Sequence, residues 1–150
     1  MQTIHVPAGQ RAEVILADGT HVWLNSRSTL KFSEQFSANT RNVELDGEGY
    51  FSVQHNEKSP FTVQTPKYTI QVLGTEFNVK AYHNSPLFET ALIKGSVEIT
   101  SPELSQSLRL KPDEIAVANN GRLETSHISD YNYFKWKEGL FCFEMNRSKI

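Results

Sequence analysis

Apolar and polar residues alternate with a period of two through most of the chain, and this feature constrains its fold more than any other. The longest example spans residues 43–53, where the odd positions carry Val43, Leu45, Gly47, Gly49, Phe51 and Val53. Successive side chains of a β-strand point to opposite faces, so this period predicts strands with one packed face and one face in water. The even positions, which include Glu44, Asp46 and Glu48, are expected to point to solvent.

Two details of the alternation refine the prediction. The pair Asp46-Gly47 is compatible with a turn, but the unbroken period through it favours one continuous strand with room for a bulge. A second run, in which Ala91, Ile93, Gly95, Val97 and Ile99 occupy alternate positions, predicts another strand whose apolar face carries these residues.

Turn signals divide the alternation into short units of regular length. Asp18-Gly19 and Asn119-Asn120-Gly121 are typical of tight hairpins, and a slip of the period at Leu73-Gly74 indicates a bulge or a corner. The spacing predicts an all-β domain, a sandwich or jelly-roll of about eight to eleven short, mainly antiparallel strands. One short helix is expected near the C-terminus, capped by Ser129 or Asp130.

The size and charge of the chain exclude several classes of protein. At 150 residues it has the length of one ordinary domain, and its net charge of −2 indicates no broad basic face for nucleic acid. A single cysteine, Cys142, excludes an internal disulfide and is compatible with the cytosol and with a bacterial envelope alike. No stretch approaches the ~18 consecutive apolar residues that a membrane-spanning helix needs.

No residue pattern indicates catalysis or metal binding, so the chain is predicted not to be an enzyme and to need no cofactor. Its five histidines lie far apart, whereas histidine-rich metal sites of barrel proteins usually contain a closely spaced pair. Glu44, Asp46 and Glu48 follow one another at intervals of two residues. Neighbouring members of this series are expected about 6 to 7 Å apart along a strand, which approaches the spacing of a glycosidase pair. A solvated strand face is the simpler interpretation. No nucleophile elbow or phosphate-binding loop is present.

The two tryptophans differ in their expected roles. Trp23 stands between Val22 and Leu24 and is expected in the core. Trp136 belongs to an aromatic terminal segment, which is expected to dock onto this domain, the next domain or a partner. The candidate docking residues are Phe134, Trp136, Leu140, Phe141 and Phe143.

A series of short motifs follows one order along the chain: Gly9-Gln10-Arg11, Asp18-Gly19-Thr20, Trp23-Leu24-Asn25, Gly47-Glu48-Gly49-Tyr50-Phe51, Leu73-Gly74-Thr75 and Gly95-Ser96-Val97. From Val6 to about Glu144, this series resembles the envelope-facing region of FecR-type anti-sigma regulators. One departure is Gly49, at a position where the family more often has alanine.

The resemblance implies a module that binds and transmits without chemistry of its own. Residues 1–139 would form a periplasmic FecR-like β domain, and residues 140–150 would begin a C-terminal α/β domain. Such regulators are anchored in the inner membrane by one helix, preceded by a cytoplasmic segment that binds a sigma factor; both are absent from these 150 residues. The expected partner in the periplasm is the N-terminal signalling domain of an outer-membrane TonB-dependent transporter.

A carbohydrate-binding β-sandwich is the alternative function. In that interpretation Tyr131, Tyr133 and Trp136 would form an aromatic platform for a sugar. Saturable binding of oligosaccharides that depends on Trp136 would distinguish this function from signalling.

Overall fold

The computed structural model describes residues 1–101, 106–119 and 121–137, which form thirteen β-strands and one 3₁₀ turn, Tyr131–Lys135. The strands are β1 (Gln2–His5), β2 (Ala12–Ile15), β3 (His21–Leu24), β4 (Thr29–Phe32), β5 (Arg41–Ser52), β6 (Phe61–Gln64), β7 (Thr69–Val72), β8 (Glu76–Ala81), β9 (Leu87–Lys94), β10 (Val97–Thr100), β11 (Ser107–Leu110), β12 (Glu114–Asn119) and β13 (Glu124–His127). No helix within these ranges is long and apolar enough to cross a membrane.

The strands form two sheets that share β5. In sheet A the order is β1-β4-β5-β6-β7-β10-β11, and in sheet B it is β2-β3-β5-β8-β9-β12-β13. Within the described ranges, β5 and β6 form the one parallel pair. The first half of β5 pairs with β4 and β6, whereas the second half pairs with β3 and β8. This strand therefore passes from one sheet into the other.

Gly47 is the point at which β5 changes sheets. Its φ of +134° lies in a region that favours glycine. A Cβ atom here would lie 2.3 Å from the hydroxyl oxygen of Ser28 and 2.6 Å from its Cα. That hydroxyl accepts a hydrogen bond from the backbone N of Glu48 at 2.9 Å. The alternation places a glycine at this inward position, and the close approach of Ser28 requires it.

The main core fills the space between the sheets, and the alternation predicts its membership well. Along β5 the odd positions from Val43 to Phe51 all point inward, on both sides of the corner. The largest fully buried side chains are Phe51, Phe61, Phe77, Phe88, Leu24, Leu30, Leu45, Ile70, Leu92, Ile99, Leu110 and Val22. Phe51 stacks on Phe77 with ring centroids 5.0 Å apart, which places an aromatic pair at the centre of sheet B.

A buried arginine holds one end of the sandwich together. Arg41 is 3% exposed, and its Nη1 lies 2.8 Å from Asp18 Oδ2. Asp18 in turn accepts hydrogen bonds from the backbone and the hydroxyl of Thr20, which closes the β2–β3 turn. The motif Asp18-Gly19-Thr20 therefore stabilises a hairpin and anchors a cation at the same time.

The structure confirms the all-β class and both hairpin predictions, but it contains more strands than expected. One additional strand is β1, which is four residues long and has exposed side chains apart from the partly buried Ile4. Ladder hydrogen bonds to a neighbour form such strands without any signal in the alternation. The expected C-terminal helix is only the 3₁₀ turn, capped by Asp130, whose side chain accepts from the backbone N of Asn132.

The single strand predicted through Ala91–Ile99 is wrong, because the chain turns at Gly95, with a φ of +98°, and forms β9 in sheet B and β10 in sheet A. The predicted face is wrong as well. In β9 the core side chains are Phe88 and Leu92, whereas Ala91 and Ile93 point to the opposite side of sheet B. Both faces of β9 are covered, so apolar residues occur on both of them. The alternation therefore does not show which residues of β9 face the main core. The expected C-terminal α/β domain at residues 140–150 and its boundary at 139/140 lie outside the described residues and stay predictions.

Candidate functional site

The outer face of sheet B carries a mainly apolar row, which includes Tyr50 at an even position of β5 that the alternation assigns to solvent. Trp23, Tyr50, Asn78, Ala91 and Ile115 are successive partners across β3, β5, β8, β9 and β12. A wet sheet face would not expose such a row. It is covered by residues 128–137, which we call the C-terminal segment.

The C-terminal segment and this row form a second hydrophobic cluster, separate from the main core. Its members are Trp23, Tyr50, Ala91, Ile93, Ile115, Ile128, Phe134 and Trp136. Phe134 is its buried centre at 6% exposure, and the rings of Tyr131 and Tyr133 meet that ring edge to face. Lys137 Nζ lies 4.5 Å from the ring centroid of Tyr50, within the range of a cation–π interaction.

Glu48 lies beneath the C-terminal segment and is 4% exposed. Its Oε1 accepts a hydrogen bond from Asn25 Nδ2, and its Oε2 accepts one from Asn78 Nδ2, both at 3.0 Å. The hydroxyl of Tyr133 donates to the same Oε2 at 3.0 Å. A buried carboxylate requires such donors because it has lost its water. The expectation that Glu48 lies in solvent is therefore wrong.

The corner at Gly47 separates Glu48 from the two other carboxylates of β5. Glu44 and Asp46 line the outer face of sheet A, whereas Glu48 lies on the outer face of sheet B. Both faces carry even-numbered residues of one strand. Among the described residues, the C-terminal segment lies over Glu48 on sheet B and does not cover Glu44 on sheet A. The three carboxylates thus form neither one solvated row nor a glycosidase-like pair.

A second row of charges lies beside the apolar row. Glu48, Lys80 and Glu89 are successive partners across β5, β8 and β9. Burial raises the pKa of Glu89, while the charge of Lys80 lowers it and the charge of Glu48 raises it further. Lys80 Nζ also lies 6.0 Å from the ring centroid of Tyr133. The site is thus an acidic patch of Glu48 and Glu89 with Lys80 between them. Tyr133 of the C-terminal segment lies over it.

Burial and the neighbouring Glu48 raise the pKa of the Tyr133 phenol far above its usual value of 10.0. A raised pKa means that the folded chain holds this proton more tightly than the unfolded chain does. The stabilisation is therefore complete below the ordinary tyrosine pKa and is lost as the pH rises above it.

Titration of tyrosine absorbance at 295 nm tests this shift. The difference between the wild-type curve and that of Tyr133→Phe is expected to titrate well above pH 10, after ordinary tyrosine. The difference is necessary because the pKa values of Tyr82 and Tyr131 are raised as well. A difference curve centred at or below pH 10 would contradict the buried Tyr133–Glu48 contact.

The structure places two of the predicted docking residues in this site. Phe134 is buried and Trp136 is partly buried, both against sheet B of their own domain. Leu140, Phe141 and Phe143 lie outside the described residues, so their role in docking stays a prediction. Trp23, which was expected in the main core, lies instead on the outer face with Trp136.

Sequence reasoning missed Glu48, Asn25 and Asn78 as a network. A signal was present, since Glu48 and Asn25 belong to two of the motifs that carry the family resemblance. Alternation alone cannot identify them, because it assigns residues to a face without showing whether another segment covers that face.

A shallow cavity of about 870 Å³ lies on the outer face of sheet A, away from the C-terminal segment. Its floor includes Lys31, Glu44, Gln64 and Thr69, which are successive partners across β4, β5, β6 and β7. The aromatic residues of the alternative sugar platform lie against sheet B, so this polar cavity and that platform do not combine. Within the described ranges, no group of His, Cys, Asp and Glu side chains is arranged to hold a metal ion.

Comparisons with known proteins agree with the fold and with the motifs. Two crystal structures of a proposed anti-sigma factor from Parabacteroides distasonis, at 1.65 and 2.50 Å resolution, superpose with TM-scores of 0.86 and 0.85 at 33% and 34% identity. They match 91% and 90% of this chain, which spans 64% and 63% of theirs. No curated protein matches significantly. The family model described as FecR protein matches residues 2–98. The chain therefore belongs to the FecR protein family.

Proposed function

We propose that this chain is the periplasmic signalling module of a membrane-anchored anti-sigma regulator. It would receive a signal from the N-terminal domain of an outer-membrane TonB-dependent transporter and relay it to a cytoplasmic sigma factor. The observation that carries the proposal is the FecR family match together with the fold shared with a proposed anti-sigma factor. The complete regulator would hold further segments, because this chain spans only part of that protein.

The geometry suits a relay. The two sheets form one packed body, and the C-terminal segment lies against it on the way to the residues that follow. A partner that contacts this segment would change how the following chain is held. Such a mechanism needs a stable sheet and a movable contact, and no bond is made or broken in this domain.

Strand addition is a reasonable mode of contact with the transporter domain. Along the described strand order of sheet B, β13 is a terminal strand with exposed side chains, and Ile128 directly follows it. A terminal strand offers backbone N–H and C=O groups to an incoming strand. Binding there would act next to the start of the C-terminal segment.

Cross-linking in cells tests the proposal. The full-length tagged regulator is expected to co-purify with a sigma factor and with a TonB-dependent transporter, both identified by mass spectrometry. Truncation before Glu124, which removes β13 together with the C-terminal segment, is expected to remove the transporter and to leave the sigma factor bound. Recovery of neither protein with the full-length regulator would contradict the signalling function, and a truncated form that retains the transporter would contradict the role of the terminal segment.

A further inference from the structure

The C-terminal segment is attached to sheet B almost entirely by side chains. At its start, the backbone N of Ile128 donates to the carbonyl oxygen of Asp113 at 2.8 Å. Beyond that point, the backbone bond of the segment is an internal one, from Tyr133 N to Asp130 O at 3.3 Å. Among the described residues, no other backbone hydrogen bond joins residues 129–137 to the sandwich. A single 3₁₀ turn has little stability of its own, so side chains decide whether this segment stays docked.

The docked state balances two opposing contributions. Burial of Phe134 favours docking, because this ring is otherwise exposed to water. Burial of Glu48 opposes docking, because its carboxylate loses solvent and forms no ion pair within the described residues. The hydroxyl of Tyr133 replaces part of the lost hydration at 3.0 Å. In an undocked state, water would solvate Glu48 and the loss of this bond would be partly compensated.

Opening of the segment does not require the sandwich to open. The cluster around Phe134 is separate from the main core, which lies between the two sheets. Asn25 and Asn78 belong to the sandwich and would keep their bonds to Glu48. Opening would break the backbone bond of Ile128 to Asp113 and the hydroxyl bonds of Tyr131 and Tyr133. It would also break the contacts of Phe134, Trp136 and Lys137 with the outer face of sheet B.

We propose that residues 128–137 form a latch, closed by the hydrogen bond from Tyr133 to buried Glu48, which opens as a unit while the sandwich stays folded. Opening frees residues 128–137 from the outer face of sheet B. Local opening is a property of this domain alone, whereas its use in signal relay rests on the proposed function.

The chain supplies a matched pair of variants to test the latch. Tyr131 and Tyr133 belong to the same turn, are similarly exposed at 46% and 42%, and each donates its hydroxyl to a carboxylate. The partner of Tyr131 is the exposed Asp113, whereas the partner of Tyr133 is buried. Tyr131→Phe therefore controls for the loss of a phenol from this turn.

Trypsin digestion of the complete 150-residue chain under native conditions measures the opening. Cleavage after Lys135 is expected to accelerate about tenfold or more in Tyr133→Phe, because a hydrogen bond to a buried charged group is lost. In Tyr131→Phe the acceleration is expected to stay below about threefold, because its partner is solvated. Equal rates in the two variants, or faster cleavage throughout the strands of Tyr133→Phe, would overturn the latch.

Tryptophan fluorescence provides a second readout. The two tryptophans of the chain, Trp23 and Trp136, both lie in the cluster that the latch closes. Quenching by acrylamide is expected to increase in Tyr133→Phe and to stay near the wild-type value in Tyr131→Phe. Unchanged quenching in Tyr133→Phe would contradict opening of the cluster.

A transcription reporter separates the latch from the proposed function. In cells with the full-length regulator, Tyr133→Phe is expected to alter sigma-dependent transcription and Tyr131→Phe is not. If digestion shows opening but transcription is unchanged, the latch exists and its role in relay is wrong. Failure of the regulator to bind a sigma factor in the cross-linking experiment would instead contradict the proposed function and leave the digestion result standing.

Discussion

Replacement of Gly47 with alanine is expected to destabilise the domain by about 4 kcal/mol, the combined size of an unfavourable backbone conformation and an overpacked contact. The new Cβ would overlap the Cα and the hydroxyl of Ser28, which is fully buried and cannot move into solvent. A shift of Ser28 would also break its hydrogen bonds with the backbone of Glu48. The passage of β5 between the sheets would then lose its corner. Urea unfolding followed by circular dichroism measures the loss.

Gly9→Ala is the matched control for this prediction. Gly9 also has a positive φ, +78°, but a Cβ atom there would meet no heavy atom within 4 Å. Its loss of stability is expected to be about 1 kcal/mol, from backbone conformation alone. If Gly9→Ala and Gly47→Ala prove equally destabilising, the contact with Ser28 contributes nothing and the account of the corner is wrong.

Replacement of Arg41 with alanine is expected to cost about 3 to 5 kcal/mol, because it leaves buried acceptors without their donor. Nε donates to the carbonyl oxygen of Ser59 at 2.7 Å, and Nη2 donates to that of Leu73 at 3.1 Å. Nη1 lies 2.7 Å from the carbonyl oxygen of Gln54 and 2.8 Å from Asp18 Oδ2. One guanidinium group thus joins three loops: the β2–β3 turn at Asp18, the β5–β6 loop at Gln54 and Ser59, and the β7–β8 loop at Leu73. Thermal and urea unfolding measure the effect.

Two further variants show which property of Arg41 matters. Arg41→Lys keeps the charge but not the planar fork, so it is expected to recover only a small part of the lost stability. Arg109→Ala removes a cation that is 74% exposed and lies 3.8 Å from Glu98, and its effect is expected to stay below about 1 kcal/mol. Wild-type stability in Arg41→Lys would contradict the requirement for directed hydrogen bonds.

The predictable part of the fold is the part that depends on local chemistry. The β5 alternation marks its inward residues correctly over both halves of the strand, and Asp18-Gly19 marks a hairpin that the structure contains. These features follow from side-chain periodicity and turn geometry, which a few adjacent residues determine.

The candidate site was largely unpredictable because it depends on contacts between distant residues. Tyr133 reaches Glu48 across 85 positions of the chain, and Arg41 reaches Leu73 across 32. Nothing near Arg41 in sequence distinguishes a buried cation from a solvated one before a strand. Likewise, Ala91 and Ile93 are apolar and look like core residues in the sequence. Ala91 is buried and Ile93 is partly buried, but both pack in the cluster of the C-terminal segment and not against the opposite sheet.

Local residue patterns predict the all-β class, the inward face of β5, the hairpins and, through the ordered motifs, the family. Contacts between distant residues decide that β5 serves two sheets and that Arg41 joins three loops. They also decide that the even-numbered face of β5 is wet at Glu44 but covered at Glu48. Alternation specifies on which side of a strand a residue lies. Whether that side faces water depends on which other part of the chain packs there, and for Glu48 that part is a segment more than eighty residues away.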